Sequence, residues 1–113
     1  MKIQFDTPLN GTDQNGDTIA LTPAQIAALT YNVLLDTVTP PVKSYTVPAS
    51  VVAAATTNAN GSKHVTVDTI TDLGATEVAG VTYYAQVQDP TPSAILSTVP
   101  TVTPAAVANF SLR

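Results

Sequence analysis

The stretch that most limits what this chain can fold into is Val81-Thr82-Tyr83-Tyr84-Ala85-Gln86-Val87-Gln88-Asp89. Val81, Tyr83, Ala85 and Val87 fall on one face of an extended backbone, and Thr82, Tyr84, Gln86 and Gln88 on the other. Period-two alternation with β-branched and aromatic residues marks a half-buried strand. Gly80 opens it, and the Pro90-Thr91-Pro92 cluster closes it, because proline has no N–H to give to a sheet ladder. Composition agrees. Only 11% of the 113 residues are charged, whereas helical surfaces draw on Glu, Lys and Arg. The hydrophobic fraction is 44%, yet there are only 2 Phe, 4 Tyr and no Trp. The expected core is therefore thin and built of small branched residues, in a single domain.

Taken in order, the chain reads as short strands separated by turns. Lys2 to Phe5 alternates, with Ile3 and Phe5 inward, and Pro8 ends it. Leu9 to Thr18 (LNGTDQNGDT) reads as a polar loop of turn-forming residues. Leu21 to Leu29 carries a helix signature near 22–29. Thr22 caps the first turn, Pro23 takes the first helical position and Gln25 reaches back in a capping box. Leu21 and Ile26 form a hydrophobic staple. Alternation then resumes, with Tyr31, Val33 and Leu35 inward. Ser44 to Val47 is a strand that Pro48 confines to an edge. Val51 to Thr57 is ambiguous between strand and helix. Asn60-Gly61 signals a tight two-residue hairpin turn leading into Lys63 to Ile70, where Val65 and Val67 define one face. Leu73 to Gly80 is a loop, and Ala94 to Val99 a further strand. Residues 103–113 form a tail with an apolar stripe at Val107 and at Phe110 or Leu112. Six or seven short strands at regular spacing predict an all-β antiparallel sandwich with one short helix.

The formal net charge is −4, and the basic residues Lys2, Lys43, Lys63 and Arg113 are scattered. No phosphate-tracking patch can form, so nucleic acid is not an expected partner. No apolar run approaches the roughly 20 residues of a membrane helix, and no secretory signal is visible. With no cysteine there is neither a disulfide framework nor a thiolate metal site.

Asp13, Asn15 and Asp17 resemble the start of a calcium loop, but the glycine is misplaced and the terminal Glu is missing, so the run reads as a solvated turn. His64, the only histidine, faces outward with no carboxylate beside it in sequence. Asp68 and Asp72 can be written as an acid pair, yet they read as solubilising charge at a strand end. Tyr45 and Tyr84 can be written as a stacking platform for sugar, and read more simply as packing under a loop. Asn10 and Asn109 fit glycosylation acceptors by chance. The expectation is no catalytic residue, no metal and no cofactor.

With these residues in place, the chain resembles the fibronectin type III family of immunoglobulin-like sandwiches over residues 1–102. Phe5-x-x-Pro8 stands where that family has Trp-x-x-Pro at the end of its second strand. Tyr31-x-Val33-x-Leu35 looks like its third strand, and Gly80 to Val87 like its sixth, with Tyr83 at the tyrosine corner. Departures are Phe5 for the core Trp, Glu77 where a Leu precedes the corner, and a first strand missing because Met1 begins in the second. The inward faces read from alternation give an expected core of Phe5, Tyr31, Val33, Leu35, Val65, Val67, Tyr83 and Val87.

The resemblance also implies a non-enzymatic module that works by presenting surface. The expected role is a structural protein of a bacteriophage particle, foremost a capsid decoration (cement) protein or another small virion component. Its partners would be the major capsid or tail protein and itself, and its location the virion, assembled in the host cytoplasm. The alternative is a carbohydrate- or protein-binding module on a cell surface or secreted. The tail, 103–113, looks like the missing first strand displaced to the other end. Donation of Val107, Phe110 and Leu112 to a neighbouring copy is expected to be sterically easier than doubling back, and a tail lying elsewhere is the plainer alternative.

Overall fold

The computed structural model describes residues 1–13, 15–88, 90, 102–104 and 108–112. Ten strands and two short helices lie among them: β1 (Lys2–Asp6), β2 (Asn10–Asp13), β3 (Thr18–Ala20), α1 (Pro23–Ala28), β4 (Asn32–Asp36), β5 (Ser44–Thr46), α2 (Ala49–Ala53), β6 (Thr56–Thr57), β7 (Lys63–Asp68), β8 (Tyr84–Val87), β9 (Val102–Pro104) and β10 (Ala108–Leu112). All strand pairs are antiparallel. One sheet has the order β10-β1-β7-β6, a second β5-β4-β8 and a third β3-β2-β9. The protein is thus mostly antiparallel β-sheet with two short helices.

Alternation in the sequence sets the core. Ile3 and Phe5 of β1 and Val65 and Val67 of β7 pair across the ladder, Ile3 with Val67 and Phe5 with Val65. All four are fully buried, together with Tyr31, Val33 and Leu35 at and within β4. The Phe5 and Tyr31 rings meet at 5.5 Å between centroids, tilted by 36°, in the favourable range for aromatic pairs. Leu21, Ile26, Leu29, Val47, Val52 and Ala75 complete the cluster. Tyr83, Ala85 and Val87 pack against it half-buried.

α1 forms as its residues predict. The Gln25 N–H donates to the Thr22 hydroxyl at 3.1 Å, and the Thr22 N–H to the Gln25 side-chain carbonyl at 2.9 Å. Its far end is held by the Tyr31 hydroxyl, which donates to the Ile26 carbonyl at 3.1 Å. That carbonyl belongs to the last turn, where it also accepts a long 3.4 Å bond from the Leu29 N–H. Burial pushes the Tyr31 hydroxyl's pKa well above its ordinary value, so it stays a donor.

Four local expectations differ from the structure. The run 9–18 is not a loop throughout. Asn10–Asp13 and Thr18–Ala20 form a hairpin, with Gly16 at φ +83° in the turn between them. Its ladder comes from backbone groups and needs no apolar alternation. Residues 51–57 divide between α2 and β6. Pro48 starts the helix without needing an N–H, and Val52 faces the core. Asn60-Gly61 sits in a five-residue loop, Asn58 to Ser62, rather than a two-residue turn. Asn60 Oδ1 accepts from the Ser62 N–H at 3.0 Å and the Asn58 N–H donates to the Ser62 carbonyl at 2.7 Å, with Gly61 at φ +93°.

The fourth difference is the length of the 81–89 strand. β8 begins only at Tyr84, because its partner β4 ends at Asp36, which faces Tyr84. Val81, expected inward, is 43% exposed. The expected strand at 94–99 lies outside the described residues.

The tail pairs with strands of its own chain. β10 pairs with β1 of the same chain, Ile3 with Leu112, Gln4 with Ser111 and Asp6 with Ala108, with an irregularity between Gln4 and Asp6. β9 pairs with β2, Gly11 with Pro104 and Asp13 with Val102. Doubling back was expected to be the harder route; among the described residues after β8, the chain pairs with β2 from Val102 and then with β1 from Ala108. Val107 and the side chains of Phe110 and Leu112 lie outside the described residues.

Candidate functional site

Two loops meet at the end of the β5-β4-β8 sheet where β4 finishes and β8 starts. Residues 37–43 join β4 to β5, and residues 76–83 lead into β8. They flank a cavity of about 170 Å³ lined by Leu35, Asp36, Thr37, Lys43, Tyr45, Thr76 and Tyr83. That is below the several hundred Å³ of a typical small-molecule site. The loops carry apolar side chains into solvent instead: Val38 and Val42 on the first, and Val78 and Val81 on the second, with Tyr84 just beyond. Val42 is 73% exposed and Val78 58%. Single exposed apolar residues need no explanation, but several on adjoining loops are the usual mark of a contact surface.

The first loop is organised by Asp36. Its Oδ1 accepts from the Thr37 N–H at 2.8 Å, and its Oδ2 from the Val42 N–H at 3.4 Å and the Lys43 N–H at 3.2 Å. The Leu35 N–H donates to the Lys43 carbonyl at 2.9 Å, closing the loop behind it. The peptide between Thr39 and Pro40 is cis. The Thr37 N–H above all, then those of Val42 and Lys43, holds the Asp36 carboxyl below its ordinary pKa. A lowered folded-state pKa means that its stabilising effect is present above about pH 4 and is lost as pH falls through the lower folded value. Acidification from pH 6 is therefore expected to leave the loop intact to below about pH 4 and then to loosen it. The amide signals of Thr37 and Lys43 in an NMR titration report this, and a midpoint at or above the free aspartate value would refute the assignment.

The second loop is tied by Tyr83. The Val78 N–H donates to the Tyr83 hydroxyl at 2.7 Å, and the Val81 N–H to the Val78 carbonyl at 3.2 Å. Tyr83 therefore pairs with the backbone of the loop before its strand, while its ring packs on the core. Tyr83→Phe is expected to cost about 0.5–1.5 kcal/mol, the net value of one hydrogen bond. Tyr84→Phe should stay within about 0.5 kcal/mol, as surface changes do. Urea unfolding of both variants compares them, and the reverse ranking would mean a strand register off by one.

The base of this loop is anchored to the chain start. The Met1 amino group lies 2.8 and 3.0 Å from the two Glu77 carboxylate oxygens and donates to the Thr69 hydroxyl at 2.9 Å. Thr69 is fully buried and also hydrogen-bonds Glu77. The bond from the Met1 amino group, then that from Thr69, keeps the Glu77 carboxyl below its ordinary value.

The other sequence candidates fall into structural roles or come apart. His64 does have a carboxylate beside it: its Nδ1 is 2.7 Å from Asp6 Oδ1 and its Nε2 3.3 Å from Gln4 Oε1. Asp6 and His64 are direct ladder partners, 58 residues apart in sequence. With Val51, Ala54, Ala55, Thr56, Thr66 and Asp72, His64 lines an open groove of about 330 Å³. Asp68 and Asp72 shape a turn. Asp68 Oδ1 accepts from the N–H groups of Ile70 and Thr71, both at 3.0 Å, and Asp72 Oδ2 from the Asp68 N–H at 2.8 Å. The Thr71 N–H first, then that of Ile70, lowers the Asp68 pKa. Asp13 ends β2, and Asn15 and Asp17 lie in the turn before β3.

Tyr45 and Tyr84 do not form one platform. Tyr45 pairs with inward-facing Val33, and Tyr84 with Asp36 on the opposite face. Lys43 Nζ sits 5.5 Å from the centre of the Tyr45 ring, and its hydrogen bond to Tyr45 raises the lysine pKa. Of the exposed valines, Val38, Val42 and Val78 lie in no alternating run, whereas Val81 alternates with Tyr83 but precedes the start of β8. The first two had a signal in Val38-Thr39-Pro40-Pro41-Val42, apolar residues set in a proline turn that cannot bury them in a ladder.

No family model, curated protein or solved structure matches this chain.

Proposed function

We propose that the chain is a fibronectin type III-like immunoglobulin sandwich and a non-enzymatic structural component of a bacteriophage particle. Its foremost role is that of a capsid decoration protein or another small virion component. It works through contacts with the major capsid or tail protein and with further copies of itself. Support for the fold comes from strand order. A constant-type immunoglobulin sandwich orders one sheet A-B-E-D and pairs strand C with strand F in the other. The order β10-β1-β7-β6 and the pairing of β4 with β8 follow that scheme, with the C-terminal β10 in the place of strand A. Tyr83 bonds to loop backbone as a corner tyrosine does.

Support for a contact role comes from one observation above the others, the exposed Val38, Val42, Val78, Val81 and Tyr84 on adjoining loops. The virion assignment itself is an analogy from small sandwiches that recur on phage particles. Co-expression with the products of neighbouring open reading frames tests it. Sedimentation with assembled particles at fixed stoichiometry, lost in a Val42→Asp, Val78→Asp double variant that still folds, is the expected result. A chain that never leaves the top of the gradient and binds a defined sugar on a glycan array would replace the virion reading with that of a carbohydrate-binding module.

A further inference from the structure

One residue of β7 is left open on the side that faces β6. In a strand, successive residues aim their N–H and C=O groups at opposite neighbours. The Thr7 N–H donates to the Lys63 carbonyl at 2.9 Å and the Thr69 N–H to the Met1 carbonyl at 2.9 Å. Met1 and Thr7 flank β1, and the β1–β7 register runs unbroken from Lys2↔Asp68 to Asp6↔His64. Lys63, Val65, Val67 and Thr69 therefore aim their backbone groups at β1, and His64, Thr66 and Asp68 aim theirs the other way. His64 pairs there with Thr56 of β6. Asp68 is closed by Asp72, whose carboxylate accepts the Asp68 N–H at 2.8 Å and whose own N–H donates to the Asp68 carbonyl at 2.8 Å. Thr66 lies between these two closed positions. A longer β6 would set Ala54 opposite Thr66, by the register of Thr56 with His64. Instead the Ala54 N–H turns back to the Ser50 carbonyl at 3.0 Å, at the end of α2. Among the described residues, the Thr66 N–H and C=O meet no partner on that side, and backbone left open at a strand is a template for pairing.

The groove of about 330 Å³ lies at this gap, lined by Thr66, by Thr56, His64 and Asp72 from the closed positions, and by Val51, Ala54 and Ala55 as an apolar wall. Its charge is one-sided. The His64 ring nitrogens face Asp6 and Gln4, and Lys63 Nζ is turned to the Ala53 carbonyl at 3.4 Å. Asp72 spends one carboxylate oxygen on the Asp68 N–H, and the other meets no partner among the described residues. The chain as a whole carries a formal net charge of −4, which favours a basic partner. We propose that this groove is a docking site for one extended basic residue of a partner polypeptide. The N–H and C=O of that residue exchange both bonds with Thr66, as in a hydrogen-bonded antiparallel pair. Its aliphatic stem lies on Val51, Ala54 and Ala55, and its cation is drawn to Asp72. This is strand addition reduced to a single residue. None of the exposed loop valines takes part, so the site stands or falls apart from the contact surface proposed above.

Hydrogen exchange and NMR titration of the full chain test it. The Thr66 amide is expected to exchange about tenfold faster than those of Val65 and Val67, which face β1. Equal protection of the three would close the gap and overturn the proposal. The probe is N-acetyl-lysine N′-methylamide, which carries one residue's N–H and C=O between blocked ends. It should give saturable shifts at the His64, Thr66 and Asp72 amides and slow the exchange of Thr66. Its analogue methylated on the lysine backbone nitrogen has no N–H to give to Thr66 and should do neither. Equal shifts from the two probes, or none from either, reject the pairing. The glutamate counterpart should bind about threefold more weakly, the fold-change of an exposed ion pair. Asp72→Asn keeps an oxygen for the Asp68 N–H and should abolish that difference. Lysine and glutamate probes of equal affinity on the parent chain, or a preference that survives Asp72→Asn, would overturn the assignment of a basic residue to Asp72. Thr66→Pro removes an N–H that no β1 ladder bond uses, and should lose the probe with the fold retained. Undiminished binding to that variant overturns the pairing, and the methylated probe decides the same point if the variant does not fold.

Discussion

Replacing Phe5 with alanine is expected to cost about 3–5 kcal/mol, most of what a domain of this size has to lose. Phe5 is fully buried, its ladder partner Val65 is fully buried, and its ring lies against Tyr31 at 5.5 Å. The surroundings cannot close over the gap. Tyr31 is held by its hydroxyl on the Ile26 carbonyl, and the ladder partner Val65 is β-branched with few rotamers to spare. Only 2 Phe and no Trp stand in the sequence, so no second large ring takes over. The lost transfer energy and the residual cavity therefore add. Val81→Ala, at a 43% exposed position, is the control and should stay within about 0.5 kcal/mol. Urea midpoints at constant slope provide the comparison. A loss below about 1 kcal/mol for Phe5→Ala would place its ring outside the core.

What could be read from the sequence was local or periodic. The α1 start was legible because Thr22, Pro23 and Gln25 make their bonds within one turn. The inward sets of β4 and β7 were legible because Tyr31, Val33 and Leu35, and Val65 and Val67, alternate without interruption. Tyr83 was legible through both alternation and its place just after a glycine-marked loop. What escaped was non-local or carried by backbone. The β2–β3 hairpin has no apolar period, and its third strand comes from residues 102–104. The carboxylate beside His64 becomes visible only when the β1–β7 register is known. Asp36 gathers N–H groups up to seven residues away, a pattern that a turn-prone Asp-Thr pair hints at and does not specify. The seat of β10 depended on where the preceding chain attaches, which no local pattern states.

The run Val51 to Thr57 was ambiguous for a physical reason, and a second substitution with a large effect resolves it. Paired valines favour a strand and the alanines after them favour a helix. In a strand, Val51 and Ala53 would share a face and Val52 would point away from both. In α2 the faces divide otherwise: Val52 is 1% exposed, Val51 half-buried and Ser50 exposed. Val52→Asp is expected to destabilise the domain by several kcal/mol, because a carboxylate placed there leaves water without a partner. The loss should be smaller at low pH, where the buried carboxyl is protonated and neutral. Ser50→Asp should stay within about 0.5 kcal/mol or stabilise slightly, since it puts negative charge in the first helical turn. Val51→Asp should fall between the two. Circular dichroism and urea unfolding at pH 7 and pH 4 rank the three variants. A Val52→Asp chain as stable as the parent, with Val51→Asp unfolded, would turn α2 through its other face and remove Val52 from the core.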